Sequence, residues 1–264
     1  MTHASSTFDK TAQTPESWWE DVQLAVVFLT RIAWKLKGEV PSCALNRALR
    51  AFPIIGLLVG GFAATIFGLA TWMNLPVLAC SLLAVLALVL ITGALHEDGL
   101  ADVADGFGGG YKLEDKLEIM RDSRVGSYGV LAMVFSIGLR TSALAGFEDW
   151  GMAAASLVAV SCLSRVAPAL LIGFMEPARK DGLAATMKKP DQVILMQCGV
   201  LGAALFLLCV PFVAGWVALM VSAVVLFGFS KLAEAQIGGH SGDVCGAAQQ
   251  IVEVTALLAL VSLV

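Results

Sequence analysis

The chain has 264 residues, of which 58% are hydrophobic and only 14% charged, with a formal net charge of -4 and a mean hydropathy of +0.82. A soluble domain carries about 25% charged residues, so an ordinary water-soluble globule is excluded. Apolar runs of ~20 residues recur without strict alternation, which excludes a β-barrel and leaves an all-α, polytopic integral membrane bundle whose backbone satisfies its own hydrogen bonds in lipid.

Taken in chain order, residues 1–16 are polar, lack the apolar core of a signal peptide and read as a flexible N-terminal tail. Ser17-Trp18-Trp19-Glu20 has the spacing of a capping box and predicts a helix start. The helix that follows, roughly 18–37, mixes Trp18, Trp19, Val22, Phe28, Leu29 and Ile32 with Asp21, Arg31 and Lys35, the composition of an interfacial helix. About seven spans are expected, at roughly 52–72, 75–95, 127–147, 151–174, 193–210, 214–230 and 244–264. Pro53, Pro76 and Pro211 fall at or near span ends, where a missing N–H costs little. Gly56 and Gly60 form a GxxxG step, which predicts close helix packing.

Charge distribution orients these spans. Lys35, Lys37, Arg47 and Arg50 precede the first; Lys112, Lys116, Arg121 and Arg124 lie between the second and third; Arg179, Lys180, Lys188 and Lys189 lie between the fourth and fifth; Lys231 follows the sixth. The connections near 73–75, 148–150 and 211–213 hold no Lys or Arg. The positive-inside rule then places the basic loops in the cytoplasm and the end of the last helix outside. The six cysteines, including Cys43, form no CxxC pair and read as small core residues rather than a disulfide framework or a zinc site.

The stretch HEDGLADVADGFGGG, residues 96–110, closes one of the most apolar runs. Asp98, Asp102 and Asp105 follow an i, i+4, i+7 spacing and share one face of a helix. Three carboxylates on one face repel one another unless a cation sits among them, and oxygen donors of this kind suit Mg²⁺, which bridges a few carboxylates to substrate phosphates. The competing reading is a solvated acidic helix start favoured by the helix dipole. Gly106, Gly108, Gly109 and Gly110 either allow backbone to approach a phosphate or end the helix; they match neither a Walker loop nor a dinucleotide fingerprint. His96 is a base, a ligand or a hydrogen-bonding residue at the helix end. Arg121, Asp122 and Arg124 bring mixed charge just before the third span, as phosphate contacts or as positive-inside anchors. Arg140 and Arg165 fall within expected spans, where a charge faces a cavity or a partner, and Arg165 lies near enough to the cytoplasmic end to snorkel. The last span carries Asp243, Gln249, Gln250 and Glu253; Asp243 and Gln250 share a face, with Glu253 beside it. The reading preferred here is a functional polar cavity, against a salt bridge from Glu253 to a residue such as Arg140.

With FLTR at 28–31, FPIIGLLVG at 52–60, TGALHEDGLADVADG at 92–106, IMRDSRVGSYGVLAM at 119–133, SRVAP at 164–168 and GGHSGDVCGAAQQIVE at 238–253, the chain closely resembles the cobalamin synthase family, the adenosylcobinamide-GDP ribazoletransferases. These stretches cover nearly the whole chain in order, and their combination is specific. The resemblance implies a single membrane-embedded transferase domain over residues 17–264 of a multi-pass protein of the bacterial inner membrane, with its active site facing the cytoplasm. It implies transfer of adenosylcobinamide phosphate from adenosylcobinamide-GDP to α-ribazole or α-ribazole 5′-phosphate, with release of GMP and with Mg²⁺ as cofactor. Asp98, Asp102, Asp105 and Asp243 are then the expected metal ligands. Arg121, Arg124, Arg140 and Arg165, with Asp122 and Glu253, are the expected substrate contacts, and Asp102, Asp105 or His96 the expected catalytic groups. Glu97 stands where an apolar residue is common in the family and is not counted as a ligand. The expected partners are the two substrates, the bilayer, a second copy of the chain and other enzymes of the pathway, with no nucleic acid.

Two other classes fit parts of the chain. DVADG echoes the DxxDG start of the CDP-alcohol phosphotransferases, although Phe107-Gly108 stands in place of their Ala-Arg. Buried Arg140, Arg165 and Glu253 suit a secondary transporter, although no inverted repeat is visible. DxxxD at 98–102 also occurs in membrane prenyltransferases and discriminates poorly.

Overall fold

The computed structural model describes residues 17–36, 44–179, 187 and 189–264. The expected N-terminal tail, Cys43 and the basic residues Lys37, Lys180 and Lys188 lie outside the described residues. No strand occurs among the described residues; apart from one isolated bridge the regular structure is helical. Six helices are long and apolar enough to cross a membrane, or seven if one sharply bent pair counts as a single span. The chain is a multi-pass helical membrane protein.

Helix α1 spans Trp18–Leu29 and is shorter than the sequence suggests. The chain leaves the helix at Thr30, whose hydroxyl donates to the Val26 carbonyl, and the next amide, Arg31 N–H, donates to Ile91 O at 2.8 Å. The expected capping box does not form, because the Ser17 side chain makes no capping hydrogen bond. Asp21 anchors the helix instead. It is buried and accepts from Arg47 Nε and Arg50 Nε, both at 2.7 Å, and so ties α1 to the start of the first span. That start is a short helix α2, Ala44–Ala48, and a 3-10 turn, Leu49–Ala51, which run directly into α3, Phe52–Trp72.

Helix α4, Val77–Thr92, comes back from α3. Gly93 and Ala94 are both left-handed (φ 66° and 60°), and the chain turns by 91° into α5, Leu95–Gly109. The straight span expected over 75–95 therefore ends early, in a bend. Gly93 leaves room for the Arg31 side chain, since a Cβ there would stand 1.9 Å from Arg31 Nε. Ala94 has no such excuse, and a left-handed L-residue costs about 1–2 kcal/mol, so the bend is held by its surroundings. After the short α6, Leu113–Ile119, come α7, Ser127–Ala145; α8, Trp150–Ser164; α9, Val166–Phe174; α10, Gln192–Cys209; α11, Phe212–Ile237; and α12, Gly242–Val261. Helices α8 and α9 form one 25-residue span with a single-residue break at Arg165.

All six tryptophans are exposed near helix ends: Trp18, Trp19 and Trp34 beside α1, and Trp72, Trp150 and Trp216 at the opposite ends of the spans. This is the placement of two interfacial aromatic belts. The core runs through α3, α8 and α12. Helix α3 packs most extensively on α8, through Gly56 and Gly60, where a Cβ would lie 2.3 Å from Ser161 O and 2.8 Å from Val158 Cα. The GxxxG step is thus a backbone-to-backbone contact. The five described cysteines are free thiols, four of them buried, as the core reading requires.

Gly56→Ala is expected to cost about 1–3 kcal/mol by overpacking this contact and to lower the thermal midpoint in detergent. Gly68→Ala on the same helix, where nothing lies within 4 Å of the added carbon, should leave the midpoint unchanged.

Candidate active site

Helix α5 leaves the bend and runs antiparallel to α7 and to the first half of α12. Its inner end meets Arg140 through Glu97, and its outer end meets Gly126 through Asp105. Against α12 the helices touch at backbone distance: a Cβ at Gly99 would stand 2.7 Å from Asp243 O, and one at Gly246 would stand 3.4 Å from His96 Cα. The site therefore has two layers.

The inner layer is a buried ion network. Arg140, 1% exposed, donates from one terminal nitrogen to Glu253 Oε1 at 3.1 Å and from the other to Glu97 Oε1 at 3.0 Å, while its Nε donates to Ser136 O at 3.3 Å. Gln250 donates to Glu97 and Gln249 and accepts from the Ser136 hydroxyl; Gln249 donates to Glu253 and Ser164. Arg165, 2% exposed, donates to Ser161 O at 2.8 Å and lies within electrostatic reach of Glu253 and Glu97. Two arginines thus face two glutamates, which is how charge persists in an apolar interior. The Glu253–Arg140 pair is the salt bridge that the sequence reading ranked second to a cavity. Arg165 does not snorkel; it is buried at the helix break. Neither arginine is brought to the aspartates.

The outer layer is the mouth. Asp98 is exposed and Asp102 half-buried on one face of α5; Asp243, half-buried at the start of α12, joins them. Asp102 feels the charges of Asp243, Asp98 and Asp105 and, opposing them, Arg179. Asp105 is turned elsewhere. It is buried, and its two oxygens accept from Gly126 N–H at 2.7 Å and Gly129 N–H at 2.9 Å, so it caps the N-terminus of α7. Both glycines are required, since a Cβ at either would stand within 2.4 Å of a carboxylate oxygen. His96 is buried near Arg165 and Arg140 rather than beside the aspartates. Arg124, almost fully exposed, donates to Asp122, and these hydrogen bonds hold the Asp122 carboxyl down at about 2. The pair clasps its own loop. Arg121 is exposed and already engaged. Gly106, Gly108, Gly109 and Gly110 serve packing and helix termination: a Cβ at Gly106 would strike Met120 and one at Gly108 would strike Tyr128.

Two participants are not visible in the sequence pattern. Glu97 belongs to the ion network, and Arg179 stands 3.7 Å from Asp243. An acid beside three others hides Glu97, and Arg179 looks like any other loop cation.

Among the described residues, no three His, Cys, Asp or Glu side chains converge tightly enough to cage a metal ion unaided. Mg²⁺ does not require such a cage, because it keeps several waters and takes one or two carboxylates together with substrate phosphates. Asp98, Asp102 and Asp243 supply hard oxygen donors of that kind at an open mouth, and their mutual repulsion favours a cation.

Fold and site together define a polytopic helical membrane protein with carboxylates gathered at the basic ends of its spans, above a charge-balanced interior. The chain belongs to the cobalamin-5-phosphate synthase family, whose sequence profile matches residues 21–261. An adenosylcobinamide-GDP ribazoletransferase of Azorhizobium caulinodans is 43% identical over 247 residues, covering 90% of this chain and 94% of that protein. One of Rhizobium meliloti is 40% identical over 260 residues (92% and 96%), and one of Shewanella pealeana 39% identical over 260 residues (94% and 98%). No solved structure matches the chain. Family membership decides for the transferase over the CDP-alcohol enzymes and the transporter.

Arg140→Met should cost about 3–5 kcal/mol, because it leaves two buried carboxylates unpaired; the double variant Arg140→Met, Glu253→Gln should recover part of that in the same thermal assay. Asp105→Ala is expected to lose about 1–2 kcal/mol as a lost helix cap, and Asp105→Asn, which keeps one acceptor, less.

Proposed function

We propose that this chain transfers the adenosylcobinamide-phosphate group of adenosylcobinamide-GDP to α-ribazole, or to α-ribazole 5′-phosphate, at the cytoplasmic face of the bacterial inner membrane. The observation that carries the reading is the meeting of Asp98 and Asp102 on α5 with Asp243 on α12, across the Gly99 contact. In the reaction a ribose hydroxyl attacks the corrinoid-side phosphorus. The bond from that phosphorus to the bridging oxygen breaks, and its electron pair leaves with GMP. Asp98, Asp102 and Asp243 would hold Mg²⁺, which when bound neutralises charge on the pyrophosphate and on the departing phosphate.

The chain's own residues supply the rest. The aspartates mark the mouth where the pyrophosphate lies. Asp102, half-buried beside Asp98 and Asp243, would take the hydroxyl proton on a carboxylate oxygen not used to hold the metal; His96, the other expected acceptor, is buried nearer Arg140 and Arg165. Asp105 acts by holding α7 and the preceding loop. Orientation follows from charge: Arg47, Arg50, Lys112, Lys116, Arg124, Arg179 and Lys231 gather at the end of the bundle that carries the aspartates, as a cytoplasmic face would.

The test is GMP release by purified protein in liposomes, given adenosylcobinamide-GDP and α-ribazole. Release should depend on ribazole and vanish with chelator. Asp102→Asn should lower kcat by about 10²-fold or more without loss of fold. Normal metal-dependent turnover by that variant would remove Asp102 from the mechanism.

A further inference from the structure

We propose that Arg179 is a phosphate-binding residue of this site, held over the aspartates by a backbone bridge between two loops. The proposal rests on the transferase reading above and deepens it.

Residues 176–179 follow α9, and residues 238–241 lead into α12. The two segments pair as an isolated parallel bridge at Pro177 and His240, where His240 N–H donates to Glu176 O at 2.9 Å and Ala178 N–H to His240 O at 2.8 Å. Gly239 is what permits the approach, since a Cβ there would stand 2.0 Å from Glu176 O. The bridge fixes Arg179 one residue beyond its last hydrogen bond, facing Asp243 three residues beyond His240.

The Arg179 side chain is only 16% exposed, yet its guanidinium is underused. One terminal nitrogen donates to Leu117 O at 3.1 Å, which ties the group to α6. The same nitrogen lies 3.7 Å from Asp243 Oδ2, too far for a hydrogen bond, and Nε–H is buried without an acceptor. A buried donor left unsatisfied is costly, and a fork of guanidinium N–H groups matches phosphate oxygens. Arg179 also acts on both Asp102 and Asp243 electrostatically. Arg124 is committed to Asp122 and Arg140 to Glu97 and Glu253; Arg165 also has a buried Nε–H without an acceptor, but it lies at the α8–α9 break, where it faces the glutamates of the inner layer rather than the aspartates. A polyanionic donor entering an acidic mouth needs a cation of the protein's own, and Arg179 occupies that position with a donor to spare.

The experiment measures initial rates of GMP release in liposomes for wild type, Arg179→Lys and Arg179→Ala, varying adenosylcobinamide-GDP at saturating α-ribazole and Mg²⁺. Arg179→Ala should raise KM for the donor by about tenfold or more, with the Mg²⁺ midpoint within twofold of wild type and partial rescue by added guanidinium. Arg179→Lys should fall between. A donor KM within twofold of wild type in both variants overturns the proposal, as does a shifted Mg²⁺ midpoint with no change in KM, which marks Arg179 as charge balance only. If Arg179→Ala does not fold, Arg179→Lys carries the test alone. Thermal stabilisation by Mg²⁺ with inorganic pyrophosphate separates this proposal from the transferase reading. If wild type releases no GMP, but pyrophosphate stabilises it and not Arg179→Ala, the substrate reading fails and the phosphate site stands. No stabilisation of wild type and no turnover sinks both.

Discussion

The interaction on which the rest of the arrangement depends is Arg140 held between Glu97 and Glu253 inside the bundle. In water such pairs contribute little, but in an apolar interior each ion is costly unless matched. The match links four segments: α5 through Glu97, α7 through Arg140, the α8–α9 break through Ser164 and Arg165, and α12 through Glu253 and its two glutamines. It also sets the rotation of α5. With Glu97 turned inward, Asp98 one residue on is rotated by about 100°, and Asp102 follows it toward the mouth. The inner charges are paired and buried and the outer ones gather at the mouth, and one helix carries both.

Glycine lets these segments come close enough. Gly99 admits the backbone of Asp243, Gly126 and Gly129 admit the carboxylate of Asp105, and Gly239 admits the carbonyl of Glu176. Each contact joins segments far apart in the chain at the mouth of the bundle, and each would be closed by a single methyl group. Gly126 and Gly129 of RDSRVGSYG and Gly239 of GGHSGD therefore share a physical cause, close packing, whereas Gly238 supplies the left-handed turn that ends α11.

This division also explains why the site stays acidic. The arginines deepest in the membrane are neutralised by glutamates, so they leave the aspartates uncompensated. Arg124 is spent on its own loop, and Asp105 on a helix N-terminus. What remains at the mouth is a surplus of carboxylate, from Asp98, Asp102 and Asp243, with Arg179 at its edge.

Much of this is written in the sequence. The apolar runs dictate a helical membrane bundle, and the i, i+4, i+7 aspartates dictate an acidic helix face, because hydropathy and helical period are local properties. Family resemblance was legible too, from motifs in order along nearly the whole chain. What tertiary structure alone decided is which charge serves which purpose. Asp105 shares a helix face with Asp98 and Asp102, but the α7 N-terminus lies within its reach and captures it. Arg140 reads as a lone intramembrane charge until Glu97 and Glu253, from two other helices, meet it. Arg179 looks like a loop cation until the two-bond bridge between Pro177 and His240 sets it beside Asp243. A side chain's partner is fixed by which helices pack together, and that depends on the whole chain rather than on the residues next to it.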